Sequence, residues 1–481
     1  MRGSLLRKHI VFGLSVSSIS EGYIFGQLSG MISTMLSKDS DVSLTPEEVS
    51  WMASILFITG VMGSMLSALL AERCGRKMAI SLLNMPLMIY WITLYYAHEF
   101  IVFLLARAMA GFFFGGVMSV IFLSAAEYTN PHERASYLML ITSLGPSLGG
   151  FIGNLLFTKF HWRVVALFGI IPTTLAALHP FFWIESPSWL ASKGRFEECE
   201  RNFRKLHGHG TSVDNELKLL IAVEKKKQII NINGISEIEP VIKRLLRAAR
   251  QKYFWKVGLL ISILLATKAA VGKVSLGIYI NTILIETVGR VNALLLSIIE
   301  GSLIAGCCLS SFCMRQMTVR GLLFFSGYAC VATMMTLSIC IAFTLKEDIL
   351  WQWVKVALLA IYFFIIHMGI FPICESLPTE VFPLDIKDVC TFLFSIVGAV
   401  IMFTSIKVLP SMMNLIGFQG IFALNAGIIL LTLLYLWRFL PETKGRTLQE
   451  IELYFKNGQF CNISNMLLSE EQKLSSTQPL H

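Results

Sequence analysis

Ala71-Glu72-Arg73-Cys74-Gly75-Arg76-Lys77 is a charged knot set between two long apolar runs. Glu72 and Arg73 read as the end of one membrane-spanning helix, and Arg76 and Lys77 open the next. Gly75 between them permits a sharp reversal at little steric cost. The cations are then held on one side of a bilayer, and the rest of the chain can be placed relative to them.

Composition agrees with that placement. The 481 residues are 55% hydrophobic and only 15% charged, with a mean hydropathy of +0.66, so the bilayer is the solvent and a soluble enzyme is excluded. The net charge of +9 gathers in short connectors and one central loop. That is the positive-inside pattern of a membrane protein and not a nucleic-acid face. The ten cysteines show no framework spacing, and Cys307, Cys308 and Cys313 lie in or at the end of an apolar run. They read as packed thiols, neither bridged nor metal-bound. No nucleophile–base set, metal-ligand spacing or nucleotide loop stands out, so neither an enzyme nor a cofactor is expected, and the N-terminus lacks a cleavable signal.

A span needs about 20 apolar residues, and twelve runs qualify, near 10–35, 49–71, 77–97, 101–126, 135–157, 163–184, 254–287, 292–314, 320–345, 350–379, 387–410 and 416–440. Arg2, Arg7, Lys8 and His9 precede the first, which places the N-terminus in the cytoplasm, and an even count returns the C-terminus there. Thr45 with Pro46, Glu47 and Glu48 reads as the cap and acidic first turn of the second helix. The basic stretch 186–252 is expected to be a cytoplasmic linker carrying short surface helices. The organisation is thus an all-α membrane protein: a first six-helix half, 1–185, that linker, a second half, 253–440, and a cytoplasmic tail, 441–481.

The halves repeat. Glu127 with Arg134 ends the fourth helix as Glu380 with Lys387 ends the tenth, 253 positions on. Glu185-Ser186-Pro187 after the sixth matches Pro441-Glu442-Thr443-Lys444 after the twelfth, with the acids 257 positions apart. Arg315-Gln316-Met317-Thr318-Val319-Arg320 is a worn copy of the opening knot. Three landmarks in one order at nearly one offset mark two pseudo-symmetric halves. Charges of both signs at these helix ends suggest a latch between the halves. A network of pairs, each contributing about 0–1 kcal/mol, could bias a two-state equilibrium by a few kcal/mol.

These motifs resemble the sugar-porter branch of the major facilitator superfamily, in particular the insect facilitated trehalose transporters. The matching residues are Glu72 to Lys77, Arg107 with Gly111 and Gly115, Glu127 to Arg134, Glu185-Ser186-Pro187 with Trp189-Leu190, Glu380-Val381-Phe382-Pro383, Lys407 with Pro410, Gly417, Gly420 and Phe422, and Pro441 to Arg446. The resemblance implies the major facilitator fold and alternating access, with two halves rocking about a site near mid-membrane. It implies that Arg73, Arg76, Glu127, Arg134, Glu185, Glu380, Lys387 and Glu442 form the inner latch. A multi-pass cell-membrane carrier, monomeric and moving a small polar solute such as trehalose or a hexose, is the expectation, and facilitative transport the default.

Departures from the family pattern are as informative. Where sugar porters carry a Gln-Gln pair and an Asn in the seventh helix, this chain reads Lys268-Ala269-Ala270-Val271-Gly272-Lys273-Val274-Ser275. Thr142 stands at the fifth-helix Gln position, and Glu375 replaces an indole in the tenth. Lost amides weaken a polyhydroxyl site by about 0.5–1.5 kcal/mol per bond. Glu21, Lys268, Lys273, Glu300 and Glu375 lie within apolar runs, where a charge costs roughly 2.5–3.5 kcal/mol and is expected to face a cavity or a partner. Lys268, Lys273, Glu375, Thr142, Ser275 and Tyr279 are the candidate solute residues. Glu21 is the candidate for proton coupling, and Glu300 and His367 read as structural. Two alternatives stay open: a non-transporting sensor of the same fold, and a carrier of a charged organic solute.

Overall fold

The computed structural model describes residues 2–36, 42, 44–129, 137–138, 140–208, 210–232, 247, 250, 252–344, 348–382, 387–446 and 448–457, apart from a few side chains. Twelve spans can be traced among them. They are α1 (Arg2–Met35), α2 (Pro46–Cys74), α3 (Arg76–Tyr96), α4 (Phe100–Tyr128), α5 (Leu140–Phe157) and α6 (Trp162–Phe182) in the first half. The second half holds α7 (Tyr253–Ile278), α8 (Ala293–Gln316), α9 (Val319–Phe343), α10 (Ile349–Pro378), α11 (387–416) and α12 (418–439). The last two run together as Lys387–Phe439 and are separated at Gly417, whose φ of 65° no helix interior adopts. With α11 and α12 taken as one, ten segments are long and apolar enough to cross a membrane. α1 matches them in length but is diluted by Ser17, Ser18, Ser20, Glu21 and Gln27, all buried against neighbours.

Local chemistry sets the boundaries. Thr45 and Glu48 close a reciprocal capping box on α2, which satisfies donors that an open helix end leaves orphaned. At the other end Gly75 has φ 90° and serves as the joint between α2 and α3. α1 then lies against α5 and α2 against α4, with small residues where the backbones meet. A Cβ at Gly26 would overlap the Gly150 carbonyl, and one at Gly115 the Gly60 carbonyl. Such stripes let helices approach closely enough for packing to hold them in lipid. Outward faces stay apolar, with Phe182, Phe343 and Leu415 each more than three-quarters exposed, as a lipid boundary requires.

Two spans depart from regular helix. The seventh was expected as one run over 254–287, but it breaks after Ala270: Gly272 is left-handed (φ 73°), and the chain resumes as Lys273–Ile278 and Ile280–Val288. The Tyr362 hydroxyl of α10 donates to the Val271 carbonyl freed by the break. α10 in turn carries a π-helical turn at Ile366–Ile370, and α5 opens with another at Leu140–Leu144. Irregular backbone at membrane depth is tolerated where neighbouring groups re-satisfy it, and it commonly marks functional positions.

Between the halves run helices Pro187–Ser192, Phe196–His207 and Thr211–Ile232. Trp189, Leu190, Cys199, Phe203 and Leu217 give them a small core of their own, and Phe196–His207 packs on α1.

Candidate functional site

At the face of the molecule carrying Gly75, the charged residues of the first half converge. The Arg76 guanidinium donates to both Glu127 oxygens, from Nε at 3.0 Å and from Nη2 at 2.7 Å, and each side chain is close to nine-tenths covered. Ser186 donates its hydroxyl to the same carboxylate at 2.6 Å. Glu185 works on backbone instead: its Oε1 accepts the N–H groups of Arg76 and Ser186, both at 2.9 Å. The Arg76 N–H is an orphan donor at the start of α3, where the helix dipole favours an anion. Carbonyls at the end of α2 are taken by Arg76 Nη1, to Ala71, and by Trp189 Nε1, to Glu72.

The second half repeats the device with other side chains. Glu442 accepts the N–H groups of Val319 and Arg320 at 3.0 Å each, at the start of α9. Lys444 Nζ takes the carbonyls of Arg315 and Met317 at the end of α8. All of these pairs lie inside one half. Among the described residues, Arg76, Glu127, Glu185 and Glu442 form no bridge between halves in this conformation, and Arg73 is exposed. In this conformation these four residues staple each half internally, and the latch expected between the halves belongs to the state in which the Gly75 face is closed. Arg134 and the side chains of Glu380 and Lys387 lie outside the described residues.

The halves are joined at the opposite face, near Thr45. Lys407 of α11 donates to Ser50 Oγ at 2.8 Å, lies 3.9 Å from the Glu47 carboxylate, and caps the Trp51 ring, which also meets Phe403. Beside it a polar chain crosses between halves. Asn281, beyond the break in α7, donates to Ser29 of α1 at 3.1 Å and to Asn154 of α5 at 3.2 Å, and Asn154 donates to the Glu300 carboxylate of α8 at 2.9 Å. Sequence reasoning missed Asn154, Asn281 and Ser29. It searched apolar runs for ionisable groups, although a buried amide must also find partners. Towards the Gly75 face the halves separate around a cavity of about 410 Å³, lined by Leu56, Gly60 and Ser64 of α2, Gly115 and Ser119 of α4, and Thr391 and Ser395 of α11.

Mid-membrane, Lys268 of α7 and Glu375 of α10 form an ion pair at 3.1 Å, with the Glu375 side chain 43% exposed. Lys273, just past the break, has no carboxylate within ion-pair distance among the described residues. Its ammonium instead sits 4.1 Å from the Phe371 ring centre. Desolvated cation–π contacts reach about 2 kcal/mol, less than the roughly 2.5–3.5 kcal/mol that an ammonium costs at this depth. His367 of α10 is fully buried, with Nδ1 2.7 Å from the Phe363 carbonyl and, among the described residues, Nε2 unpartnered. A proton on Nδ1 makes that bond and leaves Nε2 as an acceptor. Cys307 of α8 lies 3.3 Å from Ser143 of α5.

The remaining candidates are more ordinary. Among the described residues Thr142 bonds only to the Leu138 carbonyl four positions back, Ser275 is buried, and Tyr279 is buried with its hydroxyl unpartnered. Glu21 is fully buried, and neither carboxylate oxygen has a hydrogen-bond partner among the described residues. The described cysteines are free thiols.

Residues 10–455 match the family model described as sugar (and other) transporter. Among curated proteins, the chain is 27% identical over 456 residues to sugar transporter ERD6-like 12 of Arabidopsis thaliana, covering 91% of this chain and 93% of that one. It is 25% identical over 459 residues to the facilitated trehalose transporter Tret1 of Bombyx mori, covering 93% and 86%. Among solved structures, the inward-open xylose transporter XylE from E. coli superposes with a TM-score of 0.74 at 16% identity, over 93% of this chain and 99% of that one. The proton:xylose symporter XylE bound to 6-bromo-6-deoxy-D-glucose gives 0.72 at 17%, over 94% and 100%. With twelve spans in two halves stapled alike, and with the family match running nearly end to end, the chain belongs to the sugar-porter branch of the major facilitator superfamily.

Proposed function

We propose that this protein is a facilitative carrier of a sugar-sized polar solute that works by alternating access. The observation that carries the reading is the asymmetry of the contact between halves. Lys407–Ser50, Trp51–Phe403 and the Ser29–Asn281–Asn154–Glu300 chain join the halves near Thr45, while a cavity separates α2 and α4 from α11 towards Gly75. In this reading the Gly75 face is cytoplasmic, the termini lie there, and the membrane is that of the cell surface. The staples keep each half rigid, so that motion is confined to the plane between them. Kinship with transporters, one of them named for trehalose, favours a sugar as cargo.

Counter-flow of labelled solute in proteoliposomes tests the reading, with trehalose, glucose and polyols at two pH values. Exchange independent of a proton gradient supports facilitation. Accumulation driven by the gradient, and lost in Glu21→Gln, would make Glu21 a coupling group. Binding without exchange would mark a sensor of the same fold.

A further inference from the structure

We propose that Lys273 holds an acidic group of the solute, so that the preferred cargo is a sugar bearing one anionic oxygen group, a sugar acid rather than a neutral sugar. The proposal rests on the carrier reading and deepens it. Its starting point is a charge count at mid-membrane. Lys268 and Glu375 pair at 3.1 Å, while Lys273 adds a second ammonium that lies within electrostatic range of the same Glu375 but, among the described residues, beyond ion-pair distance of any carboxylate, against the Phe371 ring at 4.1 Å. The site therefore carries an excess positive charge within apolar spans, and an aromatic face cannot supply the hydrogen-bond acceptors that three N–H donors require. An anionic cargo supplies those acceptors.

Backbone geometry fits the role. The break at Gly272 (φ 73°) and the Tyr362 hydroxyl on the Val271 carbonyl place Lys273 on a turn held from α10, opposite Phe371. Around it stand groups suited to hydroxyls. His367, within electrostatic range of Lys273, presents a buried Nε2 without a partner among the described residues, and Cys307, also within that range, meets Ser143 of the other half. An ammonium for the acid, and an imidazole acceptor and a carboxylate for hydroxyl donors, together describe a polyhydroxy acid. Carboxylate and phosphate share this chemistry, and the experiment separates them.

Thermal stabilisation of the purified full chain in detergent is measured with D-glucose, D-glucuronate and glucose 6-phosphate, and exchange of the same compounds is measured in proteoliposomes. The expected result is stabilisation by glucuronate at concentrations at least about tenfold below those needed for glucose, lost in Lys273→Gln and restored in Lys273→Arg. Glucose 6-phosphate taking that place would support the anion site and name phosphate as its ligand. Equal response to glucose and both anions, response to none, or an anion preference unchanged in Lys273→Gln would overturn the proposal. Lys273-dependent stabilisation without exchange would leave the proposal standing and remove the carrier reading. Exchange of glucose alone would do the reverse.

Discussion

Replacing Glu127 by Gln should test whether the Gly75-face cluster is a staple inside one half. Its carboxylate takes Arg76 Nη2 at 2.7 Å, Arg76 Nε at 3.0 Å and the Ser186 hydroxyl at 2.6 Å, with the Arg and Glu side chains 13% and 12% exposed. Pairs in open water are worth about 0–1 kcal/mol, whereas hydrogen bonds to charged groups shielded from solvent are worth about 1.5–3 kcal/mol. Cover of this degree decides for the larger figure. Glutamine keeps one acceptor but loses the charge and half of the fork, so Glu127→Gln should cost about 2–3 kcal/mol. Arg76→Met should cost at least as much, since it also abandons the Ala71 carbonyl. The double variant should cost less than the sum, by a coupling of about 1.5–3 kcal/mol. Unfolding free energies of the four proteins, from SDS titration in mixed micelles followed by helical circular dichroism, give that coupling. Because both partners belong to one half, it should be the same with the carrier trapped open to either side. Additivity within about 0.5 kcal/mol would refute a working fork. A coupling that vanished in one trapped state would return the pair to a latch between halves.

Three further outcomes are expected. Gly26→Val forces a branched side chain onto the Gly150 carbonyl, and separating α1 from α5 should cost at least about 2 kcal/mol, read as lost monodisperse protein and earlier unfolding. Asn154→Ala leaves Glu300 and Asn281 short of a partner each. Loss of about 1 kcal/mol at that contact should raise maleimide labelling of a cysteine placed at Ser33, which is 8% exposed, by three- to tenfold. His207, half-buried and facing Arg7, titrates below its ordinary 6.5 because burial and then that cation disfavour its charge, with Glu216 opposing. An unfolded imidazole binds its proton first, so the stability His207 supports is complete above pH 6.5 and falls as the pH drops below it. His207→Gln should flatten that slope in a pH series of unfolding midpoints.

Within the candidate site, legibility followed the range of each interaction. Lys268, Lys273, Glu300 and Glu375 stood out because a charge in an apolar run is costly anywhere along it. Their partners did not: Asn154 and Asn281 lie 127 positions apart in the chain, and no local pattern announces that one amide will reach the other. Arg76 and Glu127 both stand among the expected latch residues, with Glu127 matched in sequence to Arg134, but that Arg76 and Glu127 close on each other inside one half depends on how α3 and α4 pack, which periodicity does not report.

Apolar length, the position of basic connectors and the repeat of Glu127 at Glu380 and Glu185 at Glu442 determined, from residues alone, a twelve-span chain in two halves. Those are properties of transfer into lipid and of local turns, and each segment expresses them independently. Tertiary structure alone decided that the end charges staple each half internally in this conformation, that Lys407 and the Asn154–Glu300 bond close the Thr45 face, and that the Gly272 break sets Lys273 against Phe371 with no carboxylate at ion-pair distance among the described residues. Pairing at these distances is a property of helix packing, in which a few ångströms of approach between distant spans choose one partner over another.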